Sequence, residues 1–213
     1  MTGNARFLDL AGPWVAGYVW SCKGPGLEAL ATSRLRIRPF TMDDLDSVAR
    51  LHDDCFGPAP LDVQRAWLEW TTRNYAALAQ LHQPPYGDYA IELLSTREVI
   101  GAVGLVPSFG PFDRLPLLSC SRNESADLYR PEMGLFWAIA TKHRKMGYAS
   151  EAGSAMVGFA FGELNLARIV ATTEHDNTAS IGVMRRLGMR VERNPLPEPV
   201  WFQTVGVLVN TRK

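Results

Sequence analysis

The feature that most constrains this 213-residue chain is a short turn, Arg144-Lys145-Met146-Gly147-Tyr148-Ala149, set between two runs of different periodicity. Before it, Glu132–Ala140 places Met133, Leu135, Trp137 and Ile139 on one face, the two-residue alternation of a strand. After it, from about Ala149 to Leu164, Ala152, Ala155, Met156, Phe159 and Ala160 recur with helical spacing. A helix start leaves up to four backbone N–H groups unpaired, and the macrodipole adds about half a positive charge. Phosphate oxygens fit there. Gly147 lets the backbone curl toward a ligand with no Cβ in the way, and Ala149 keeps the approach narrow. Lys142, His143, Arg144 and Lys145 add local positive charge. Each helix-end contact is worth only ~0.3–1 kcal/mol, so several amides must act together on a diphosphate. Taken alone, such a hexapeptide is more often a solvated basic turn than a phosphate site.

The rest of the chain supplies the context. Arg34-Leu35-Arg36-Ile37-Arg38 alternates as a half-buried strand. Thr41 and Asp44 have capping-box spacing, with Phe40 placed to staple onto Leu45, and a helix runs from there toward Cys55 until Gly57-Pro58. A second helix is predicted over Leu61–Leu81, with Val63, Trp67, Trp70 and Leu78 as its apolar stripe. Tyr89–Leu94 and Glu98–Val106 read as an antiparallel hairpin. Ser108–Arg130, rich in Pro, Ser, Asn and Asp, reads as a long functional loop. Arg168–Thr173 is a short β-branched strand, Asn177–Leu187 a helix closed by Gly188, and Met189–Glu192 and Trp201–Val209 the last strands. The order β-α-α-β-β-β-α-β-α-β-β describes a mixed α/β sheet with helices on its faces. Residues 1–31 form an extension of unclear structure, and 32–213 one domain.

Bulk properties narrow the function classes. Lys plus Arg (22) equals Asp plus Glu (22), so no global field draws the chain to nucleic acid or an anionic membrane. Three cysteines without a CxxC, and four scattered histidines without an HExxH, leave no metal site or disulfide framework in view. No run approaches the ~18 apolar residues of a membrane span, and the first twenty residues lack the layout of a signal peptide. A cytoplasmic location is therefore expected. Neither GxxxxGK[S/T] nor GxGxxG is present.

With these residues in view, the chain resembles the GCN5-related N-acetyltransferase (GNAT) superfamily. Arg144, Gly147 and Ala149 fill its Q/R-x-x-G-x-G/A signature, and Ser150-Glu151-Ala152, Asn177-Thr178-Ala179-Ser180-Ile181 and Leu187-Gly188-Met189 match segments that follow it. Ser33–Phe40 is similar to the opening of the ribosomal-protein N-terminal acetyltransferase branch, and the likeness covers Thr32–Asn210. The resemblance implies a mostly antiparallel, twisted sheet of six to seven strands with helices on both faces. Strands four and five (Glu132–Ala140 and Arg168–Thr173) would splay apart to admit acetyl-CoA. The pantetheine arm would pair with the backbone at Trp137, Ala138 and Ile139, and meet Asn177. The pyrophosphate would rest on Arg144, Lys145, Met146, Gly147, Tyr148 and Ala149.

The implied reaction is direct attack by a primary amine on the thioester in a ternary complex, releasing coenzyme A. Glu132 is the candidate proton acceptor, against a plain strand-edge carboxylate. The tyrosine that many members carry four residues before the Leu-Gly glycine is Met184 here, so Ser180, one turn earlier, is the candidate proton donor. Glu151 reads as structural. Glu174 and His175, or Trp67, Trp70 and Tyr75, are weaker candidates for lining the acceptor channel. The acceptor is expected to be a peptide N-terminus or small amine. The missing tyrosine keeps open a catalytically degenerate acyl-CoA-binding or regulatory module. The apolar N-terminal stretch, and Trp201–Val209 placed at a sheet edge, suggest a homodimer.

Overall fold

The computed structural model describes residues 27–116, 118, 128–195 and 197–211. Most of the N-terminal extension, with Cys22 and Cys120, lies outside those residues. The strands are β1 (Leu30–Ala31), β2 (Leu35–Arg38), β3 (Gly87–Leu93), β4 (Val99–Gly110), β5 (Arg130–Ile139), β6 (Arg168–Thr173), β7 (Arg190–Arg193) and β8 (Thr204–Val209). The helices are α1 (Leu45–Phe56), α2 (Leu61–Gln80), α3 (Tyr148–Gly162) and α4 (Thr178–Arg186). They build an eight-stranded sheet in the order β1-β2-β3-β4-β5-β6-β8-β7. Every neighbouring pair is antiparallel except β5–β6.

Strand alternation divides the side chains between two cores. On one face Leu35, Ile37, Tyr89, Ile91, Leu105, Leu135 and Ile169 meet Ala152, Met156 and Ala160 of α3 and Met184 of α4. On the other, Ala90 and Ala102 meet Val48, Leu51 and Leu68 of α1 and α2. The capping box forms: the Asp44 carboxylate accepts from the Thr41 N–H at 2.8 Å and from its hydroxyl at 3.2 Å. Phe40 and Leu45 pack in the same cluster, as the staple required.

Four expectations change. The sheet has eight strands rather than six or seven, because Leu30–Ala31 adds a short edge pair to β2. The stripe expected on α2 is displaced: Val63 and Trp70 are exposed, while Gln64, Leu68, Thr71 and Leu78 are buried. The inward arc of α2 carries the polar Gln64 and Thr71 beside Leu68 and Leu78, so apolar periodicity alone picks the wrong face. The loop expected from Ser108 is shorter, since β4 continues to Gly110 and a turn of 3-10 helix follows at Phe112–Arg114. Phe112, Leu115 and Leu118 then join Val170, Phe202, Val205 and Val207 in a third apolar cluster. The last strand begins at Thr204 rather than Trp201, and it lies inside the sheet, between β6 and β7. The free edge is β7, so the sheet-edge argument for a dimer through Trp201–Val209 falls away.

Candidate active site

β5 and β6 share a single backbone pair, Gly134↔Val170, and diverge beyond it. Because the Ala140 N–H is spent on the Ile100 carbonyl at 2.9 Å, antiparallel alternation points the N–H and C=O of Trp137 away from β4 and into the gap. The gap opens into a cleft of about 740 Å³ bounded by β5, the β5–α3 turn and the start of α4.

The turn at its mouth is built from backbone. Gly147 is the residue before α3 and adopts φ 85° and ψ −1°, while Lys145 sits at φ 63°. The Arg144 amide donates to Thr141 O at 3.2 Å, and the Glu151 amide donates to Gly147 O at 3.0 Å. Between them, the six amides of residues 145–150 have no acceptor among the described residues. Alternating handedness over successive residues turns such amides inward, the arrangement that makes an anion-binding concavity.

Several side chains hold this turn in place, while Lys145 and Arg186 add charge to the cleft wall. Arg144 Nε donates to Ile139 O at 2.9 Å, and its Nη2 meets Cys55 Sγ at 3.6 Å. Lys142 is paired with Glu98 at 2.5 Å. Arg34 approaches from the start of β2. Its guanidinium lies 4.4 Å from the Tyr148 ring centroid, and its Nη1 donates to Met146 O at 3.1 Å. Arg34 Nε also donates to Glu151 Oε2 at 2.7 Å, and Glu151 Oε1 accepts from Thr32, Ser33 and the Arg34 amide. Burial pushes the Glu151 carboxyl up, but the bonds from Thr32, Arg34 and Ser33 together outweigh it and hold it below its ordinary value. Glu151 is thus structural, as expected. Asp54, at the end of α1, accepts from both the amide and the hydroxyl of Thr141. The Thr141 hydroxyl and amide hold its carboxyl low.

Of the expected residues, Trp137, Ala138, Ile139, Arg144, Lys145, Gly147, Tyr148, Ala149, Asn177 and Ser180 all line the cleft. Met146 does not; it is exposed, and its carbonyl serves Arg34. Asn177 caps α4, its Oδ1 accepting from the Ser180 amide at 3.0 Å, which leaves the Nδ2 end for a ligand. The Ser180 hydroxyl has no partner among the described residues. Met184 is fully buried against Gly206 of β8, so this position faces the core rather than the gap.

Glu132 lies outside the cleft lining. Both of its oxygens accept from the Arg168 guanidinium, Oε2 from Nε at 2.9 Å and Oε1 from Nη2, and its side chain is 7% exposed. That arrangement argues against the proton-acceptor role expected from the sequence, because taking a proton would break a buried two-point pair. His175 is tied to β8, its amide donating to Gln203 at 2.8 Å and its Nδ1 lying 3.0 Å from the Thr204 hydroxyl. Tyr75 donates to Asp88 O at 2.5 Å, and Trp67 packs between His52 and Phe40; both are structural. The sequence reading missed Cys55 and Phe56. They reach the cleft from the end of α1, where Phe56 stacks on Phe136 at 6.4 Å. No local pattern marks them, since their neighbours lie some eighty residues away in sequence.

Among the described residues no group of His, Cys, Asp or Glu could hold a metal ion, and no helix is long and apolar enough to cross a membrane.

A sheet parted between two parallel strands, with an amide-lined turn at the parting, makes a cleft suited to an extended ligand that carries phosphate. The chain belongs to the GNAT family: the model of the acetyltransferase (GNAT) domain matches residues 34–190. The N-acetyltransferase YoaA of Bacillus subtilis is 28% identical over 166 residues, 76% of this chain and 83% of that protein. YnaD, another B. subtilis N-acetyltransferase, is 43% identical over 56 residues, 26% of this chain, and the match spans only 33% of that relative's length. Among solved structures, a GNAT acetyltransferase from Bacillus anthracis superposes with a TM-score of 0.62 at 20% identity, over 86% of this chain and 99% of that one. A ribosomal-protein-S5-alanine acetyltransferase from Vibrio fischeri gives 0.59 at 14%, over 86% and 97%. RimJ of Mycobacterium smegmatis, in complex with CoA-disulfide, gives 0.55 at 19%, over 82% and 81%. GNAT acetyltransferases use acetyl-CoA, and the reaction requires an amine acceptor.

Proposed function

We propose that this chain binds acetyl-CoA in the β5–β6 cleft and transfers its acetyl group to a primary amine of low pKa, such as a peptide N-terminus. The observation that carries the reading is the set of six unengaged amides over residues 145–150, at a left-handed Gly147 in front of a 15-residue helix. They suit a diphosphate, and the outward N–H and C=O of Trp137 suit an amide-bearing arm. A fold neighbour in complex with CoA-disulfide supports coenzyme A as the class of ligand.

Acetyl-CoA, when bound, supplies the thioester that the amine attacks. Ser180, with an unengaged hydroxyl in the cleft, donates a proton to the departing sulfur. Among the described residues the cleft lining contains no Asp or Glu. Neutralising a lysine-like amine of pKa ~10.4 near pH 7.4 costs about 4 kcal/mol, against under about 1 for an α-amine near ~8. A site without a carboxylate base at hand therefore favours the α-amine, with solvent taking the proton.

Met184, buried at the position where many relatives carry a tyrosine, favours one other reading, a binding or regulatory module. Calorimetry with acetyl-CoA, followed by a mass-spectrometric screen of α-amino peptides, polyamines and aminoglycosides, separates the two. Acetylated product supports the enzyme; heat without product supports the module; no heat ends both.

A further inference from the structure

The two halves of the sheet are each tightly matched within themselves. β5 pairs with β4 from Gly110↔Arg130 to Gly101↔Ile139, and β6 pairs with β8 from Arg168↔Val209 to Thr173↔Thr204. Gly134↔Val170 alone joins the halves along the backbone. Glu132 precedes Gly134 by two residues and Arg168 precedes Val170 by two, so in a parallel register they are cross-strand neighbours on one face. Their ion pair closes the sheet one row below the single backbone contact, on the side away from the cleft. Gly134 is held close against β4 at that point: a Cβ there would lie 2.4 Å from Ser108 Oγ. Val170, on the same face, is buried in the cluster with Phe112 and Phe202, so the two halves are also packed dry beside the pair.

The geometry points to Glu132–Arg168 as a positioning clasp that sets the width of the cleft, with Gly134↔Val170 as its fulcrum. Neither residue touches the bound ligand; each acts through the separation of β5 and β6. The inference rests on the reading of the cleft as the acyl-CoA site. Strand rise places the clasp about 7 Å from the fulcrum, and Phe136 and Ala138 about 7 and 13 Å beyond it. With rigid halves, a 1 Å change at the clasp changes the cleft by about 1 Å at Phe136 and about 2 Å at Ala138, in the opposite sense. Misplacement by 1 Å costs acyl transfer up to about a hundredfold.

The test compares Glu132→Gln, Arg168→Met and the charge swap E132R/R168E with the wild-type protein. Acetyl-CoA affinity is read by calorimetry, together with kcat, KM and the pH–rate profile. Each single variant should weaken acetyl-CoA by about tenfold or more while keeping the shape of the pH profile, and the swap should recover most of the loss. If the swap does not fold, Arg168→Lys takes its place, since it keeps the charge without the two-point fork. Its affinity should lie between wild type and Arg168→Met, and an affinity equal to wild type overturns the clasp. Wild-type affinity in Glu132→Gln also overturns it, as does a folded swap no better than the worse single variant. A flattened alkaline limb in Glu132→Gln returns that residue to proton transfer and likewise overturns it. Absence of heat with the wild-type protein removes the acyl-CoA reading itself, an outcome distinct from binding that Glu132→Gln leaves unchanged.

Discussion

Replacing Gly147 by alanine separates what the turn does for the fold from what it does for a ligand. At φ 85° an L-residue is in the left-handed region, at a cost of about 1–2 kcal/mol. The added Cβ would lie 3.5 Å from Arg34 Nη2, an ordinary contact, so the dihedral and not a clash carries the penalty. For a domain of this size, that loss lowers Tm by about 2–8 °C. Relaxing the strain requires the turn to rotate, which takes some of the amides at 145–150 out of line. Losing two such contacts weakens acetyl-CoA by about 0.6–2 kcal/mol, roughly three- to thirtyfold. Gly158→Ala is the control: it is a glycine inside α3 with nothing within 4 Å of the added carbon, so it should hold or raise Tm and leave affinity alone. Scanning calorimetry and titration calorimetry on both variants decide the matter. If Gly147→Ala loses Tm as expected yet binds acetyl-CoA like wild type, the amide cradle is not the diphosphate site.

Three further outcomes follow from the same geometry. Ser180→Ala should lower kcat by about a hundredfold, the lower end of general acid catalysis, with KM for acetyl-CoA unchanged; full turnover means that the sulfur leaves without Ser180. Asp88→Asn addresses a carboxyl that burial pushes up to about 6, with Oδ1 buried and unpartnered. The native state holds that proton more tightly than the unfolded chain, so Asp88 costs stability above pH 6, and the cost fades as pH falls toward 3.8. The asparagine variant should gain up to about 3 kcal/mol in urea unfolding at pH 8 and nothing near pH 4, and no gain at pH 8 refutes the assignment. Glu151→Gln has the opposite sign. Its carboxyl is held below the ordinary 4.5, so its contribution is complete above that pH and is lost as pH falls through the lowered value. The wild-type advantage should be flat at neutral pH and shrink below about 4.5, and an advantage independent of pH would exclude this origin.

Much of this molecule is written locally in its sequence. Caps and breakers fix helix boundaries, and Thr41, Asp44 and Gly188 all act where they were expected. The turn before α3 is legible for the same reason, since it is made by six consecutive residues and their backbone. What escapes is set by partners distant in sequence. Which arc of α2 faces inward depends on the sheet beneath it, so Val63 and Trp70 resemble core and are not. The engagement of Glu132 depends on Arg168, thirty-six residues on, and the arrival of Cys55 and Phe56 depends on where α1 ends against β5. Strand order is likewise hidden: nothing in Thr204–Val209 announces that it inserts between β6 and β7.

Arg34 gives the molecule a practical asymmetry. It is fastened to the Met146 carbonyl, the Tyr148 ring and Glu151 at once, just ahead of β2. A bulky label or crosslinker attached at Thr32 or Ser33 would therefore disturb their bonds to Glu151 and pull on the cradle through Arg34. The opposite terminus leaves β8 at Asn210, whose side chain is anchored to the Phe161 and Leu166 carbonyls at the far end of α3. Handles for immobilisation or labelling belong there, where a tug is absorbed before it reaches the cleft.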